Sequence, residues 1–421
     1  MTADARSKKY RLNNFLSEDK IIWPWIKNNR VASLTGKQEQ KMKLFFSTLL
    51  LPFFLWSFLA PQDNRPRVRE WGVKIGVLEP GSLNAITDVT GVKVGHKTII
   101  RGQSLRTGVT AILPHEGNLF QEKVPAAVYV ANGYGKLTGS TQVEELGYLE
   151  TPIILTNTLS VPVAAEALID YTLSWPGNEK VTSVNPVVGE TNDGWLNDIR
   201  TRVITKQDVL EAIQKVSAGP VEEGAVGAGT GTTCFSFKGG IGTSSRRLPP
   251  NLGGYTIGVL VQTNFGGVLQ IKGLMVEEWL KKQPAPESSG LTQKEDGSCM
   301  IIVATDAPLD ARNLKRLAKR ALLGIARTGG YYSNGSGDYA LAFSTALSVR
   351  YKPGDRSLTQ QIEILKNEAM SPLFQAAAEA AEEAILNSLF KATRMTGKDG
   401  HMAEPLPLEK LKPLLEKLKD D

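Results

Sequence analysis

The stretch DGSCMIIVATDAPL, residues 296–309, is the basis of the fold prediction. A run of apolar and β-branched residues after a glycine and a serine predicts a buried strand that begins at Ser298. The polar segment before it, residues 281–297, contains Pro, Ser and Gly and predicts a linker. A serine where a linker meets a buried strand is either an ordinary turn residue or a serine placed for chemistry.

Short apolar runs separated by glycine-bearing turns continue on both sides of this strand. The sequence predicts strands in residues 73–78, 86–95, 108–114, 126–135, 253–266 and 337–349. It also predicts a strand passing into a loop in residues 186–199, a strand passing into a helix in residues 151–175, and helices in residues 205–219, 309–328 and roughly 360–393. A glycine-rich loop is predicted in residues 224–246. Strands in both halves of the chain, with helices to cover them, predict stacked layers of sheet and helix.

The net charge of +6 on 421 residues is concentrated at the N-terminus. Residues 1–43 hold ten basic and four acidic residues, so the rest of the chain carries equal numbers of both. A balanced surface has no long-range attraction for phosphate, and we expect no nucleic-acid partner. With three histidines, no HExxH and no paired CxxC, the sequence also gives no indication of a metal site.

The apolar run LFFSTLLLPFFLWSFLA, residues 44–60, follows Met42 and Lys43 and precedes a polar stretch. This layout is typical of a secretory signal, and an uncleaved N-terminal tether is the alternative. Residues 1–41 are out of place before such a signal, which indicates that the true start is Met42. We therefore set residues 1–60 apart from the folded protein and expect export, to a bacterial periplasm.

Three common nucleotide-binding or catalytic motifs are missing from the body of the chain. The glycine-rich stretch 224–246 fits neither a Walker A loop nor a dinucleotide fingerprint, because Lys238 is followed by Gly239 and Thr232 stands where a third glycine is needed. Dense glycines instead indicate backbone packed closely on backbone or substrate. There is also no GxSxG nucleophile elbow, which a Ser-His-Asp enzyme of the α/β-hydrolase kind would need.

Cys234 and Cys299 are expected to remain unpaired.

A glycine followed by a serine permits a specific mechanism at residues 297 and 298. The Ser298 hydroxyl can attack the Gly297 carbonyl, and glycine on the acyl side allows the backbone that brings them together. Hydrolysis of the resulting ester leaves Ser298 as a new N-terminus. Its α-amine, with a reference pKa near 7.7 to 8.0, can act as the base for its own hydroxyl, which solves the activation of serine without histidine.

Seven blocks in order carry a resemblance. They are RTGVTAILP, LETPIILTNTLSVPVA, NDGWLNDI, GAVGAGTGTTCFSFKGGIGTSSR, VLVQTNFG, DGSCMIIVATDAPL and NGSGDYALAFST. From about Gly72 to Thr393 the chain resembles the L-aminopeptidase/D-esterase family and its β-peptidyl aminopeptidase relatives. The resemblance implies an N-terminal-nucleophile-like α/β fold, a four-layer αββα sandwich in a single catalytic domain. It also implies a precursor that cuts itself into an α chain, residues 61–297, and a β chain, residues 298–421.

The resemblance also assigns residues to roles. It implies cleavage at Gly297 and Ser298 with Ser298 as nucleophile, catalytic roles for Ser336 and Asp338, an oxyanion donor at Asn264, a carboxylate for the substrate amine at Glu190, oxyanion support at Trp195, and pocket walls at Asn132, Tyr134 and Trp195. One position departs from the family, because Trp195 stands in place of a tyrosine. Some members have glutamate at the position of Asp338, and aspartate is one methylene shorter. A surface position is the alternative for Glu190.

The implied function is a self-cleaving serine aminopeptidase that releases N-terminal residues, whether L-, D- or β-aminoacyl, from short peptides, amides or esters, with no metal or organic cofactor. Homo-oligomers, specifically tetramers, follow from the resemblance. Two alternatives remain. One is an acyltransferase of the ornithine acetyltransferase type, which uses threonine and is disfavoured by Ser298. The other is an inactive exported binding protein with the same fold, which Trp195 keeps open.

Overall fold

The computed structural model describes residues 65–281, 297–351, 354 and 357–419. The predicted signal or tether in residues 1–60 lies outside the described residues, as does most of the predicted linker. Within the described part, no helix is long and apolar enough to cross a membrane. The described residues belong to one compact unit.

Two β-sheets form the centre of the molecule. The first sheet has the strand order β1 (Lys93–Arg101), β2 (Leu105–Leu113), β5 (Ile153–Asn157), β6 (Val187–Thr191). The second has the order β4 (Tyr148–Leu149), β3 (Val124–Gly133), β14 (Gly337–Ser344), β13 (Ser298–Thr305), β10 (Thr256–Asn264), β9 (Ile241–Arg247). Short two-stranded pairs are β7 (Thr233–Cys234) with β8 (Phe237–Lys238), β11 (Gln270–Ile271) with β12 (Leu274–Met275), and β15 (Met395–Thr396) with β16 (Met402–Ala403).

Most helices of the described part cover the outer face of a sheet. The helices are α1 (Ser140–Leu146), α2 (Val161–Leu173), α3 (Lys206–Gln214), α4 (Val276–Lys281), α5 (Ala311–Ala321), α6 (Leu323–Arg327), α7 (Ser371–Phe390) and α8 (Leu408–Lys417). Helix α1 is the exception, because its Val143 belongs to the core between the sheets. Helices α2 and α3 share a core with the first sheet, and α5, α6 and α7 share a core with the second. A third core lies between the sheets, where residues such as Leu155 and Ile302 meet. The predicted four-layer αββα sandwich is confirmed.

Strand β13 is buried on both faces, which explains its unbroken apolar sequence. Its side chains alternate between two cores. Cys299 and Ile301 belong to the core under the helices, whereas Met300 and Ile302 belong to the core between the sheets. Because side chains alternate along a strand, Ser298 lies on the same face as Met300 and is directed between the sheets.

Several predicted elements differ from the structure. Residues 73–78 form no strand, because Gly76 has φ +75° and the Leu78 N–H donates to the Glu379 carboxylate. Residues 86–88 form a 3₁₀ turn before β1, and the end of the predicted glycine-rich loop is strand β9. The predicted helix in residues 309–328 is two helices, α5 and α6. Helix α7 begins at Ser371, eleven residues later than predicted, with a proline in its first turn.

A buried ion network joins β9 to helix α7. The guanidinium of Arg246, fully buried, is 2.8 Å from a carboxylate oxygen of Glu383 and 3.3 Å from one of Glu379. It also donates to the Ile75 carbonyl at 2.6 Å. Charged groups removed from water are tolerated here because each has several partners.

The Arg246→Met variant is expected to lower the free energy of unfolding by about 3–5 kcal/mol, because both carboxylates lose a buried partner. The exposed pair of Lys206 with Asp170, 2.7 Å apart, offers a control. Lys206→Met should cost at most about 1 kcal/mol. Urea denaturation followed by circular dichroism measures both variants. Equal losses for the two would show that burial of the Arg246 network does not govern its contribution.

Candidate active site

Three central strands of the six-stranded sheet bring several predicted site residues together at one end of these strands. Ser298 is the first residue of β13, and Asn264, the last residue of β10, is its direct antiparallel partner. On its other side Ser298 pairs with Gly337, the first residue of the parallel strand β14. The strand register therefore places the predicted nucleophile between the predicted oxyanion donor and residues 336–338.

The Ser298 hydroxyl lies against the peptide bond that it is predicted to attack. Its Oγ donates to the Gly297 carbonyl oxygen at 2.6 Å. The N–H of Gly337 is 3.1 Å from the same carbonyl oxygen and 3.3 Å from Ser298 Oγ. The backbone of β14 thus directs a donor at the oxygen on which negative charge would develop during attack.

Glycine is required before Ser298 for a steric reason. A Cβ at position 297 would lie 2.2 Å from the Asn264 carbonyl oxygen and 2.5 Å from the Phe265 Cα. Both are backbone atoms of the neighbouring chain segment and cannot move aside as a side chain would. Only glycine therefore lets the peptide bond between residues 297 and 298 lie this close to β10.

The Asn264 side-chain amide is held in one orientation by two backbone groups. Its Oδ1 accepts from the Thr233 N–H at 3.1 Å, and its Nδ2 donates to the Asn192 carbonyl at 3.0 Å. A donor on one side and an acceptor on the other determine which end is oxygen and which is nitrogen. The second hydrogen of Nδ2 is left to serve a ligand next to Ser298.

The loop that supplies the Thr233 N–H is closed by a buried lysine. Lys238 Nζ donates to the carbonyl oxygens of Gly229 and Thr232, both at 2.9 Å, and of Gly239 at 2.6 Å. Burial lowers the pKa of Lys238 to about 7. Sequence reasoning considered this lysine only for a phosphate loop and missed its structural role. The glycines here do pack backbone on backbone, as predicted: a Cβ at Gly240 would be 2.0 Å from the Gly224 oxygen.

Glu190 approaches the same site from the other sheet. It lies near the end of β6 and is only 2% exposed, so the surface alternative is wrong. One carboxylate oxygen accepts from the Lys136 backbone N–H at 3.0 Å, and the other accepts from the Thr158 hydroxyl. Burial raises the pKa of Glu190, and the two donors oppose that shift. The result is a buried carboxylate with few partners, suited to a cationic ligand.

A cavity of about 360 Å³ joins these groups. Its lining consists of Tyr134, Gly135, Lys136, Thr158, Glu190, Asn192, Asn264, Gly297, Ser298, Asn334 and Gly335. Five of the predicted site residues therefore share one cavity: Tyr134, Glu190, Asn264, Gly297 and Ser298. Its volume suits a ligand of one or two residues rather than a protein segment.

The predicted pair Ser336 and Asp338 is buried next to the cavity without lining it. Asn132 supports this segment, because its side-chain amide donates to the carbonyl oxygens of Ser333, Asn334 and Ser336. Asn132 is thus a scaffold for the turn and not a wall of the cavity. Its direct strand partner is Asp338.

Asp338 lies on the opposite face of the sheet from the Ser298 hydroxyl. It pairs with Cys299, and the alternate β14 residues Ala340 and Ala342 belong to the core under the helices. Burial raises the pKa of Asp338 to about 6, partly offset by the Ser336 hydroxyl and the Cys299 N–H. Asp338 Oδ2 and Ser336 Oγ have no hydrogen-bond partner of good geometry among the described residues. Both oxygens can therefore accept a further hydrogen bond.

Trp195 is placed differently from the prediction. Its indole is 44% exposed and stacks on His401, with ring centres 3.7 Å apart and planes at 7°. It does not line the cavity. Asn192, three residues earlier in the same sequence block, lines it instead and holds Asn264 through its carbonyl. Tyr134 lies at the cavity as predicted and is 68% exposed.

The remaining chemistry-bearing residues lie apart from this cavity. The Cys234 and Cys299 thiols are free and buried, and burial raises the pKa of both. Among the described residues there is no cluster of His, Cys, Asp or Glu that could hold a metal ion.

The sequence profile of peptidase family S58 matches residues 84–403 of the chain. The chain is similar to the beta-peptidyl aminopeptidase BapA of Sphingosinicella microcystinivorans, with 41% identity over 379 residues. That match covers 85% of this chain and 94% of the relative.

Solved structures agree with this similarity. The Burkholderia sp. beta-aminopeptidase has 40% identity and a TM-score of 0.76, with 85% of this chain and all of that chain covered. The L-aminopeptidase D-Ala-esterase/amidase of Ochrobactrum anthropi, a serine aminopeptidase with a variant of the Ntn-hydrolase fold, has 36% identity and a TM-score of 0.76. Here the match covers 84% of this chain and 99% of that chain.

Proposed function

The chain belongs to peptidase family S58 and is a serine aminopeptidase of the Ntn-hydrolase fold, and we propose which of its residues carry out self-cleavage and peptide hydrolysis. The protein cuts itself between Gly297 and Ser298 and then releases N-terminal residues from short peptides, amides or esters. The observation that carries the proposal is a single cavity in which Ser298, its strand partner Asn264 and the buried carboxylate of Glu190 converge.

Self-cleavage proceeds in two steps. Ser298 Oγ bonds to the Gly297 carbonyl carbon, the bond to the Ser298 nitrogen breaks, and that nitrogen takes the proton from the hydroxyl. Water then adds to the same carbonyl carbon and splits the ester, leaving a Gly297 carboxylate and a Ser298 with free hydroxyl and α-amine. The 2.6 Å contact of Oγ with the Gly297 oxygen and the Gly337 N–H on that oxygen support this order.

Catalysis by the cut protein reuses the same atoms. The Ser298 α-amine takes the proton from Oγ as Oγ attacks the substrate carbonyl, and Asn264 Nδ2 donates to the oxyanion. The leaving amine departs with a proton, and water releases the acyl group from Ser298. Asp338 lies on the opposite face from the hydroxyl, and this placement favours a contact of Asp338, with Ser336 beside it, with the new α-amine over one with Oγ.

The substrate amino group binds Glu190. A buried anion selects a free ammonium and rejects a blocked one, because an acylated amine would leave the carboxylate unpaired. This gives the enzyme its restriction to chain ends. The two donors on Glu190, the Lys136 N–H and the Thr158 hydroxyl, fix its orientation.

Replacing Glu190 by glutamine is expected to raise KM for an aminoacyl p-nitroanilide roughly 30-fold or more, since a buried charge pair is lost. In the wild type, KM should also rise as the pH falls through the raised pKa of Glu190, because the protonated carboxyl no longer attracts the ammonium. The variant should lack this dependence. Initial rates from pH 4 to pH 8 provide both measurements.

Glu150 is a matched control, since it is also buried but accepts from Asn185 away from the cavity. Glu150→Gln should leave KM and its pH dependence unchanged in folded protein. If Glu190→Gln and Glu150→Gln behave alike, Glu190 does not bind the substrate amine.

The test of the whole proposal is direct. Purified protein on a denaturing gel should show two fragments, and N-terminal sequencing of the C-terminal fragment should begin Ser-Cys-Met. An intact polypeptide in a preparation that hydrolyses aminoacyl amides would refute the mechanism.

We also propose that the protein is exported to a periplasm and assembles as a homo-oligomer, specifically a tetramer. The apolar run in residues 44–60 supports export, and the charge balance of residues 44–421 does not oppose assembly. Cell fractionation and light scattering of the pure protein test these two points.

A further inference from the structure

The cavity described above has two charged side chains among its described lining residues, one of each sign. Glu190 is buried, whereas Lys136 is exposed. The other lining residues have uncharged side chains. A cavity with one anion and one cation is complementary to a ligand that carries both charges.

Lys136 is tied to the amine site by its own backbone. Its N–H donates to Glu190 Oε1 at 3.0 Å, so its Cα is fixed beside the position of the substrate ammonium. Its Nζ lies 5.7 Å from the centre of the exposed Tyr134 ring. Among the described residues, Lys136 forms no ion pair. The ammonium therefore remains available at the cavity.

The reach of the Lys136 side chain from its Cα beside Glu190 suits a short peptide. Two extended residues span at most about 7 Å, which is the reach of a dipeptide from its amino group to its carboxylate. Lys136 carries its charge on a flexible four-carbon stem that begins next to Glu190. A dipeptide with its ammonium on Glu190 would therefore present its carboxylate within the range of that stem.

We propose that Lys136 is a specificity-determining residue that binds the free carboxylate on the leaving-group side of the substrate. The enzyme then prefers dipeptides with both termini free over dipeptide amides of the same size. This inference rests on the proposed function, because it needs Ser298 as nucleophile and Glu190 as the amine site.

The experiment compares L-alanyl-L-alanine with L-alanyl-L-alanine amide, which differ only in the terminal carboxylate. Wild-type enzyme should show a lower KM for the dipeptide. Lys136→Met should raise KM for the dipeptide roughly tenfold relative to KM for the amide, because both compounds share the ammonium contact with Glu190 and only the dipeptide has the carboxylate. Lys136→Arg keeps the charge and should retain most of the preference. Because the pair is partly exposed, the preference should also shrink as salt is added.

Lys319 serves as the control, since it lies elsewhere and its Nζ is 5.5 Å from the Tyr129 ring centre, a similar aromatic contact. Lys319→Met should change neither KM. Equal KM values of wild type for the two compounds would overturn the proposal. It would also be overturned if Lys136→Met raised both KM values equally, because this would indicate disturbance of Glu190 through the backbone.

A failure of the proposed function is distinguishable from a failure of this inference. If wild-type protein hydrolyses neither compound, the mechanism at Ser298 is wrong for these substrates. Calorimetry on the same protein then measures binding directly, and the dipeptide must bind more tightly than its amide in the wild type but not in Lys136→Met. Equal binding in the wild type would reject the role of Lys136.

Discussion

Ser298→Ala protein is expected to remain one uncut polypeptide and to lose hydrolysis of an aminoacyl p-nitroanilide altogether. Alanine keeps the backbone of β13 but removes the oxygen that lies 2.6 Å from the Gly297 carbonyl oxygen. Without that oxygen there is no ester intermediate, so the peptide bond stays intact and no α-amine is formed. Nucleophile and base are lost together, and loss of a nucleophile costs about 10⁶ in kcat in serine hydrolases.

A denaturing gel and a steady-state assay measure the two effects on one preparation. Ser174 is an exposed serine whose hydroxyl donates to the Tyr171 carbonyl, and Ser174→Ala should process and hydrolyse as the wild type does. Two fragments from Ser298→Ala, or hydrolysis within about tenfold of wild type, would remove Ser298 from the mechanism.

The second large effect is expected for Asn264→Ala, with a fall of about 10² to 10³ in kcat and little change in KM. The substrate carbonyl gains its negative charge only during attack, so a donor aimed at that oxygen acts on the transition state. The fall corresponds to about 3–4 kcal/mol, the range found for one oxyanion donor. Because the amide is held by the Thr233 N–H and the Asn192 carbonyl, it needs no reorganisation during the reaction.

Asn264→Asp has the same shape but replaces the donor by an acceptor and should be at least as damaging. Asn118→Ala, at a site near Asn178 away from the cavity, should leave kcat unchanged. Rates must be divided by the fraction of cut protein on a gel, since Asn264 is also adjacent to the cleavage site. A kcat for Asn264→Ala within about threefold of wild type would exclude it as an oxyanion donor.

The layers of the fold and the two reacting neighbours were predictable from the sequence. The run after Ser298 is apolar throughout because β13 has a core on each side, and such a run is visible in one dimension. Strand β10 has the same character, and the family blocks place Asn264 at its end. The adjacency of Asn264 and Ser298 then needs only antiparallel pairing in the right register.

Side-chain direction was less predictable, because it depends on contacts between distant segments. Trp195 lies outside the cavity and stacks on His401, 206 positions away in the chain. No feature of the sequence near Trp195 predicts this contact. The burial of Glu190 depends on how the two sheets face each other. Lys136 and Asn192 carry no local motif and enter the cavity only because β3 and β6 end beside it.

The strand order of the six-stranded sheet has a consequence for the cut protein. Strands β13 and β14 follow the cleavage site in the chain, yet they lie between β3 and β10, which precede it. After cleavage, strands β13 and β14 of one polypeptide would therefore be hydrogen-bonded to β10 and β3 of the other, and the two polypeptides could separate only if this sheet came apart. The precursor folds as one molecule, whereas recovery of mature enzyme from separated fragments would require two molecules to associate. Maturation would therefore be effectively irreversible.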